Sequence, residues 1–182
     1  TGHYLPAEHI GVLARGEALC SGDFNGDSKP DLAVVNSDSN NLVVFMGNGN
    51  GGFASGTSYT VGGAPSSICS ADFNSDNKLD LAVLWRNGGH LFSIFINSGS
   101  GVFSPPVHYY SGGVDCRSII ASDLTRDGRP DLTVIVRGEY GVSDPGWMAS
   151  YRNNGDATFT MFWGGSAPHK PWGGCIDVVN SD

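Results

Sequence analysis

The chain has 182 residues, of which 40% are hydrophobic and 15% are charged, and it contains 27 glycines. This composition is typical of a globular protein with many turns, and it excludes a disordered or collagen-like chain. The net charge is −8 and the ten Lys and Arg residues are scattered, so a nucleic-acid partner, which needs clustered positive charge, is not expected. No apolar run approaches the roughly 20 residues of a membrane-spanning helix, so no membrane span is predicted.

One 12-residue pattern recurs three times, and each copy is called an aspartate segment. The copies span residues 23–34, 72–83 and 123–134, and their first aspartates are 49 and 51 residues apart. A second pattern, Gly-x-Gly/Ala-x-Phe, follows each copy and is called the marker. The markers end at Phe53, Phe103 and Phe159. A fixed period of this length indicates a repeat architecture.

Short apolar runs begin in the last residues of the aspartate segments and continue beyond them. In the first two repeats they come in pairs across a polar turn, residues 32–35 with 42–46 and residues 81–85 with 91–96. Runs of this length, rich in β-branched and aromatic residues and bounded by Gly, Asn and Ser, indicate strands and hairpins. No stretch combines helical caps with helical periodicity. Each repeat has room for about four strands, which is the size of a propeller blade.

Residues 1–182 are predicted to form a single propeller region. Repeat units are expected at about 5–53, 54–103 and 104–159, with partial repeats at 1–4 and 160–182. Tyr4 lies 19 residues before Asp23, as a marker phenylalanine would, and Asp182 stands where a fourth aspartate segment is due. Because propellers typically have about 4–8 blades, three repeats indicate an incomplete propeller or one completed by assembly.

The acidic residues concentrate in the aspartate segments, which hold nine of the 15 Asp residues of the chain. Aspartates in Gly- and Asn-rich turns favour cation coordination over a solvated acidic face. Calcium takes about 6–8 oxygen ligands, which positions 1, 3, 5 and 9 of each segment can supply from side chains and position 7 from its main-chain carbonyl. The expected ligands of about three calcium sites are therefore Asp23, Asn25, Asp27, Lys29 and Asp31; Asp72, Asn74, Asp76, Lys78 and Asp80; and Asp123, Thr125, Asp127, Arg129 and Asp131.

The three segments are not equivalent in detail. Position 6 often needs a positive φ, which suits Gly128 and Asn77 better than Ser28. Position 3 of the third segment is Thr125, whose hydroxyl is a weaker calcium ligand than an amide carbonyl. We therefore expect ligand chemistry to weaken the third site and turn geometry to strain the first.

Two other interpretations of these segments agree less well with the sequence. Asp, Asn and Gly also mark tight turns that bind no metal, but an aspartate at position 9 in all three copies argues against that interpretation. An EF-hand needs a bidentate Glu at position 12 and helical flanks. Val34, Val83 and Val134 stand at that position, and the flanks continue as predicted strands.

Together the aspartate segments and markers resemble the FG-GAP/VCBS repeat, the blade of integrin α-subunit head propellers and of many secreted bacterial proteins. The resemblance covers nearly the whole chain. It implies an all-β fold of β-propeller blades, each a four-stranded antiparallel sheet, with a calcium-binding loop between two strands of each matching blade. Extracellular calcium modules can bind as weakly as roughly 10⁻⁴–10⁻³ M because ambient calcium is high there, so an extracellular or cell-surface location is expected.

The four cysteines occupy matching positions in neighbouring repeats. Cys20 and Cys69 each precede the first aspartate of their segment by three residues, and Cys116 and Cys175 precede theirs by seven. Matching sites on adjacent inner strands are expected to be too far apart for a disulfide, so buried free thiols are the preferred interpretation and disulfides the alternative. No Cys-x-x-Cys spacing indicates a zinc site.

Three tryptophans, Trp147, Trp163 and Trp172, lie in long Gly- and Pro-rich stretches after the third segment and are the candidates for ligand binding. Aromatic side chains on such loops can stack on a sugar or grip a partner protein, whereas the alternative is that Trp163 and Trp172 fill the groove between blades. The chain has no nucleophile elbow, His-Glu-x-x-His motif or phosphate loop, so it is not expected to be an enzyme.

Three functions agree with these features. The first is a calcium-stabilised extracellular module for adhesion or for binding a glycan or protein ligand. The second is a structural subunit of a surface filament or homo-oligomer, which the partial repeats suggest. The third is a non-catalytic propeller region of a secreted hydrolase or lyase.

Overall fold

The computed structural model describes residues 15–86, 91–110, 116–136 and 146–166. Every regular element in these ranges is a β-strand. In chain order the strands are β1 Gly16–Gly22, β2 Asp31–Asn36, β3 Asn41–Phe45, β4 Thr57–Thr60, β5 Pro65–Ala71, β6 Asp80–Trp85, β7 Leu91–Phe95, β8 Val107–Tyr110, β9 Cys116–Ser122, β10 Asp131–Val136, β11 Trp147–Asn153 and β12 Phe159–Ser166. No helix in the described ranges has the length and apolarity needed to cross a membrane.

The strands form three four-stranded sheets, each built from four consecutive strands. Neighbouring strands in every sheet are antiparallel, as in β1–β2 and β10–β11. The prediction of all-β, four-stranded antiparallel blades is confirmed, and the sheets are called blades 1, 2 and 3 in chain order. The strand after each marker completes the sheet of the preceding strands, so blade 1 ends with β4 at Thr60 rather than at Phe53.

The hydrophobic core lies between consecutive blades. The first strands of the blades lie side by side, with β5 in contact with β1 on one side and with β9 on the other. Every residue of β6 and of β10 is buried, because the strands that follow the aspartate loops are covered on both faces. One cluster joins blades 1 and 2 through side chains such as Val35, Leu42 and Phe95. A second cluster joins blades 2 and 3 through Phe92 and Tyr151, among others.

The second marker connects blade 2 to the aspartate loop of blade 1. The ring of Phe103 meets the ring of Phe24 edge-on, with the centroids 5.8 Å apart. The carbonyl of Phe24 accepts hydrogen bonds from the Gly101 backbone N–H at 2.9 Å and from Asn97 Nδ2 at 2.8 Å. A buried carbonyl is thereby satisfied by the neighbouring blade, which couples the two sheets.

The third marker repeats this joint between blades 3 and 2. The Phe159 ring meets the Phe73 ring at 5.6 Å, and the Phe73 carbonyl accepts from the Ala157 backbone N–H and from Asn153 Nδ2, both at 3.0 Å. The second and third markers, which the sequence revealed only as a recurring pattern, are therefore parts of the joints between blades.

Three of the four cysteines, Cys20, Cys69 and Cys116, lie in the described residues, and none of them is disulfide-bonded. Cys116 is fully buried and Cys20 and Cys69 are half-buried. Burial raises the pKa of the Cys20 thiol to about 12, against the lowering effect of a hydrogen bond with Ser70, and burial also raises the pKa of Cys69. The lack of a disulfide agrees with the preferred interpretation for these three, but only Cys116 is fully buried as expected, and Cys175 lies outside the described residues.

Candidate metal centre

Each aspartate segment forms the loop between the first and second strands of its blade. Loop 1 spans residues 23–31, loop 2 spans 72–80 and loop 3 spans 123–131, and position 9 is in each case the first residue of the second strand. The predicted site residues of each segment are therefore brought together in one tight turn. The predicted strands on both sides of the loops are present, which agrees with the argument against an EF-hand.

The aspartate at position 1 organises each loop through the backbone. In loop 1, Asp23 Oδ1 accepts the Asp27 N–H at 3.1 Å and Asp23 Oδ2 accepts the Ser28 N–H at 2.7 Å. The equivalent bonds in loops 2 and 3 have lengths of 2.7–3.1 Å. A carboxylate that accepts two backbone N–H groups closes the turn and keeps its own charge stabilised.

Two positions in every loop have a positive φ. At position 6 the values are 62° for Ser28, 63° for Asn77 and 82° for Gly128, as the sequence predicted. At position 4 they are 78° for Gly26, 63° for Ser75 and 58° for Arg126. Sequence reasoning missed position 4, because only the first copy has a glycine there. A non-glycine residue in this region costs roughly 1–2 kcal/mol, which the surrounding hydrogen bonds must offset.

Position 3 differs between the loops. In loop 1, Asn25 Oδ1 accepts the same Asp27 N–H that Asp23 Oδ1 accepts, at 3.0 Å, so two side-chain oxygens meet at one point. Loop 2 has the same arrangement around Asp76. In loop 3, Thr125 Oγ1 is buried and has no hydrogen-bond partner. An orphaned oxygen of this kind is costly unless a group bound at the loop satisfies it.

The aspartate at position 9 is fully buried in all three loops. In loop 1, Asp31 Oδ2 accepts the Phe24 N–H and Asp31 Oδ1 accepts the Gly47 N–H, both at 2.8 Å. The carboxylate therefore ties its loop to the connection between the third and fourth strands of the same blade, which contains the marker and is called the marker loop. This tethering role was not predicted from the sequence, which assigned Asp31 only as a metal ligand.

Loops 2 and 3 have the same clamp with differences in detail. Asp80 accepts the N–H groups of Phe73 at 3.0 Å and Asn97 at 2.8 Å. Burial raises the pKa of Asp80 to about 6, although these two hydrogen bonds act in the opposite direction. Asp131 accepts three N–H groups instead of two, with lengths of 2.9–3.0 Å.

A positively charged side chain contacts the aspartate at position 5 in each loop. Lys29 Nζ lies 3.2 Å from Asp27 Oδ2, and Lys78 Nζ lies 3.3 Å from Asp76 Oδ2. Partial desolvation raises the pKa of the Asp27 carboxyl, but the hydrogen bonds from the Lys29 backbone and side chain act in the opposite direction, and the net effect is a lowered pKa. The sequence analysis predicted these lysines only as calcium ligands through their main-chain carbonyls and assigned no role to their side chains.

In loop 3 the charge comes from another strand. Arg152 on β11 places Nη2 3.1 Å from Asp127 Oδ2. Arg129, the residue at position 7, donates instead to the Asn154 carbonyl at 3.0 Å. The same carboxylate oxygen is therefore paired in all three loops, although the partners differ.

The donor set fits a hard cation, since the side-chain donors of the loops are carboxylate, amide and hydroxyl oxygens, and Thr125 Oγ1 is an unsatisfied one. Across the described residues, however, no three Asp, Glu, His or Cys side chains converge as metal ligands. The reason is that the carboxylate oxygens already face backbone N–H groups, of their own loop or of the marker loop, or a lysine or arginine side chain. A calcium ion would be held by positions 1, 3, 5, 7 and 9 only after these side chains turn towards it.

Two of the three tryptophan candidates lie on strands of blade 3. Trp147 begins β11 and Trp163 lies within β12, and their side chains are outside the described ones. Trp172 lies outside the described residues. Ligand binding by these three residues stays a prediction.

Consecutive four-stranded blades, joined through marker loops and each carrying an aspartate loop, define a β-propeller-type repeat protein. The model of the FG-GAP-like repeat matches residues 23–83 and 73–134, which together contain all three loops. The chain belongs to the FG-GAP-like repeat family, which confirms the resemblance found in the sequence. A search of curated proteins found no match.

Proposed function

We propose that this chain is a calcium-stabilised β-propeller module that binds a glycan or protein ligand outside the cell and has no catalytic activity of its own. The observation that carries the calcium part is the meeting of oxygens at position 5: Asp23 Oδ1 and Asn25 Oδ1 both lie within hydrogen-bond distance of the Asp27 N–H. The arrangement recurs in loop 2, and loop 3 has a buried unsatisfied oxygen, Thr125 Oγ1, at position 3, where loops 1 and 2 have an asparagine.

The calcium ions in this proposal are structural. Position 9 ties each loop to a marker loop, and in loops 1 and 2 position 2 joins the loop to the marker of the next blade. A metal that stiffens these loops therefore stabilises both connections. A ligand that binds only the folded form stabilises it by mass action, by about 1.4 kcal/mol per site when its concentration is ten times the Kd. Calcium bound at all three loops would therefore contribute about 4 kcal/mol under those conditions.

Thermal unfolding with calcium and with a chelator tests this proposal. We expect the Tm of the wild-type chain to rise with calcium, and the rise to disappear when Asp27, Asp76 and Asp127 are all replaced by Asn. Asp38→Asn is the control, because it is the same kind of substitution at a single position in the β2–β3 turn, outside the loops, and should leave the calcium-dependent rise in Tm unchanged. A wild-type Tm that does not respond to millimolar calcium would contradict the calcium assignment.

Ligand binding is tested separately from calcium. Glycan arrays and pull-downs with the folded, calcium-loaded chain should give a ligand whose binding is lost in Trp147→Ala or Trp172→Ala but kept in Asp38→Asn. Unchanged binding in both tryptophan variants would remove these residues from the proposed ligand site.

A second candidate function, a structural subunit that associates with copies of itself, is favoured by one observation on blade 1. Leu19, Ile68 and Ile119 are equivalent by their pairing with Val34, Val83 and Val134. Ile68 and Ile119 are buried against the preceding blade and are only 7% and 2% exposed, whereas Leu19 is 63% exposed. A second copy packed on blade 1 would bury Leu19 as the other two are buried.

Light scattering over a range of concentrations tests this second candidate. Self-association through blade 1 predicts a mass that rises with concentration in the wild type and stays at that of one chain in Leu19→Ser. Val107→Ser is the control, since Val107 is 53% exposed on the outermost strand of blade 2. A monomeric wild type, or equal effects of both variants, would contradict it.

A further inference from the structure

Arg152 occupies the position on loop 3 that lysine occupies on loops 1 and 2. It is 25 residues away from Asp127 in sequence, yet its Nη2 lies 3.1 Å from Asp127 Oδ2. The other oxygen, Asp127 Oδ1, already accepts the Arg129 N–H at 3.1 Å. Oδ2 is therefore the oxygen of this carboxylate that a metal ion would take, and it is the oxygen that Arg152 contacts.

The same pairing of the position-5 aspartate with a positively charged side chain recurs in all three loops, which argues against an incidental contact. The Asp27 and Asp76 Oδ2 atoms are contacted by lysines from within their own loops, whereas in loop 3 the position-7 side chain binds a carbonyl and a residue of β11 replaces it. The pairing is thus kept although the sequence that provides it is different. What the loops share is the need to neutralise a carboxylate in a cluster of like charges.

We propose that Arg152 is a tethered counter-cation of loop 3, which neutralises Asp127 when no metal is bound and competes with calcium for its Oδ2 atom. Lys29 and Lys78 have the same role in loops 1 and 2. This inference rests on the calcium function proposed above. The pair is weak enough to be displaced, because the Arg152 and Asp127 side chains are 52% and 21% exposed.

Removing the charge of Arg152 should therefore raise the calcium affinity of loop 3. A single positive charge within several ångströms of a divalent ion near the surface opposes binding, and its loss should tighten binding by roughly three- to tenfold at low salt. The affinity of loop 1 should not change, because its carboxylate is paired by Lys29 and not by Arg152.

Calcium titrations followed by ¹H–¹⁵N NMR test this site by site in the full chain. The Gly128 N–H, which donates to Asp123 Oδ2, reports on loop 3, and the Gly26 N–H, which donates to Asp23 Oδ1, reports on loop 1. In Arg152→Met, the midpoint at Gly128 should move to a three- to tenfold lower calcium concentration, a change of the size expected for one nearby charge, and the midpoint at Gly26 should not move. Raising the salt concentration should narrow the difference between wild type and variant.

Arg15→Met is the control for net charge. Arg15 pairs with Glu17 and adjoins β1 at the end opposite the loop, so both midpoints should match the wild type. Should Arg152→Met fold poorly, Arg152→Gln removes the same charge and keeps a polar side chain.

A Gly128 midpoint at the same or a higher calcium concentration in the folded variant than in the wild type overturns the role of Arg152. If neither amide of the wild type responds up to about 10 mM calcium, above the weakest range of extracellular modules, the calcium function itself falls, and this inference with it.

Discussion

Loop 1 and loop 3 adopt the same turn with different side chains. Both close through a position-1 aspartate that accepts the N–H groups of positions 5 and 6, and both have positive φ at positions 4 and 6. Loop 1 reaches this turn with Asn25, Ser28 and Lys29, whereas loop 3 has other residues at those positions. The turn is thus determined by the aspartates at positions 1 and 9, and the remaining positions adjust its stability and charge.

The two loops differ most in what covers them. Phe24 at position 2 of loop 1 is 1% exposed and packs on the Phe103 ring of blade 2. Leu124 at position 2 of loop 3 is 42% exposed. A loop covered by the next blade is therefore part of the core, while loop 3 depends mainly on its own hydrogen bonds.

The largest expected effect comes from removing the side chain at position 2. Phe24→Ala should reduce the free energy of unfolding by about 3–5 kcal/mol, because it leaves a cavity in a core joint. Leu124→Ala should cost less than about 1 kcal/mol, because this side chain is already partly solvated. Urea denaturation of both variants measures the difference. Equal losses would mean that the joint between blades 1 and 2 is not the source of the stability of loop 1.

The clamp at position 9 should give the next largest effect. Asp31→Asn replaces an acceptor that faces a backbone N–H with a donor, which should cost about 2–4 kcal/mol in chelator. Asp131→Asn should cost about 1 kcal/mol more, since Asp131 accepts a third N–H, from Thr125. Chelator is essential in both measurements, because it separates the clamp from any loss of metal. A larger loss in Asp31→Asn than in Asp131→Asn would contradict this ranking.

Exchanging the residues at position 6 isolates backbone strain. Ser28→Gly should stabilise the fold by about 0.5–1 kcal/mol, because glycine adopts a positive φ without steric cost, and Gly128→Ser should destabilise it by about 1 kcal/mol. A Cβ atom at Gly128 would meet nothing within 4 Å, so the second effect is conformational and not steric. Changes of the same sign in thermal unfolding of the two variants would show that other contacts dominate.

Much of this architecture could be predicted from the sequence because it repeats. In the first two repeats, the strands predicted at residues 32–35, 42–46, 81–85 and 91–96 agree with the structure to within about one residue. The positive φ at Ser28 follows from its two aligned copies. The role of Asp31 as a clamp and the contact of Arg152 with Asp127 could not be predicted. Both contacts depend on residues far from the loop in sequence, and no local sequence pattern indicates which side chain of β11 contacts loop 3.

Position 3 should give the smallest effect and the finest comparison. In Thr125→Asn, the new amide oxygen can accept the Asp127 N–H as Asn25 Oδ1 accepts that of Asp27, so loop 3 should gain about 0.5–1 kcal/mol in chelator. The reverse change, Asn25→Thr, should cost loop 1 a similar amount, because it recreates the orphaned hydroxyl of loop 3. An amide oxygen is also a better calcium ligand than a hydroxyl, so the NMR midpoint at Gly128 should fall in Thr125→Asn and the midpoint at Gly26 should rise in Asn25→Thr. If the stability changes occur without the shifts in midpoint, position 3 closes the turn but does not bind the ion.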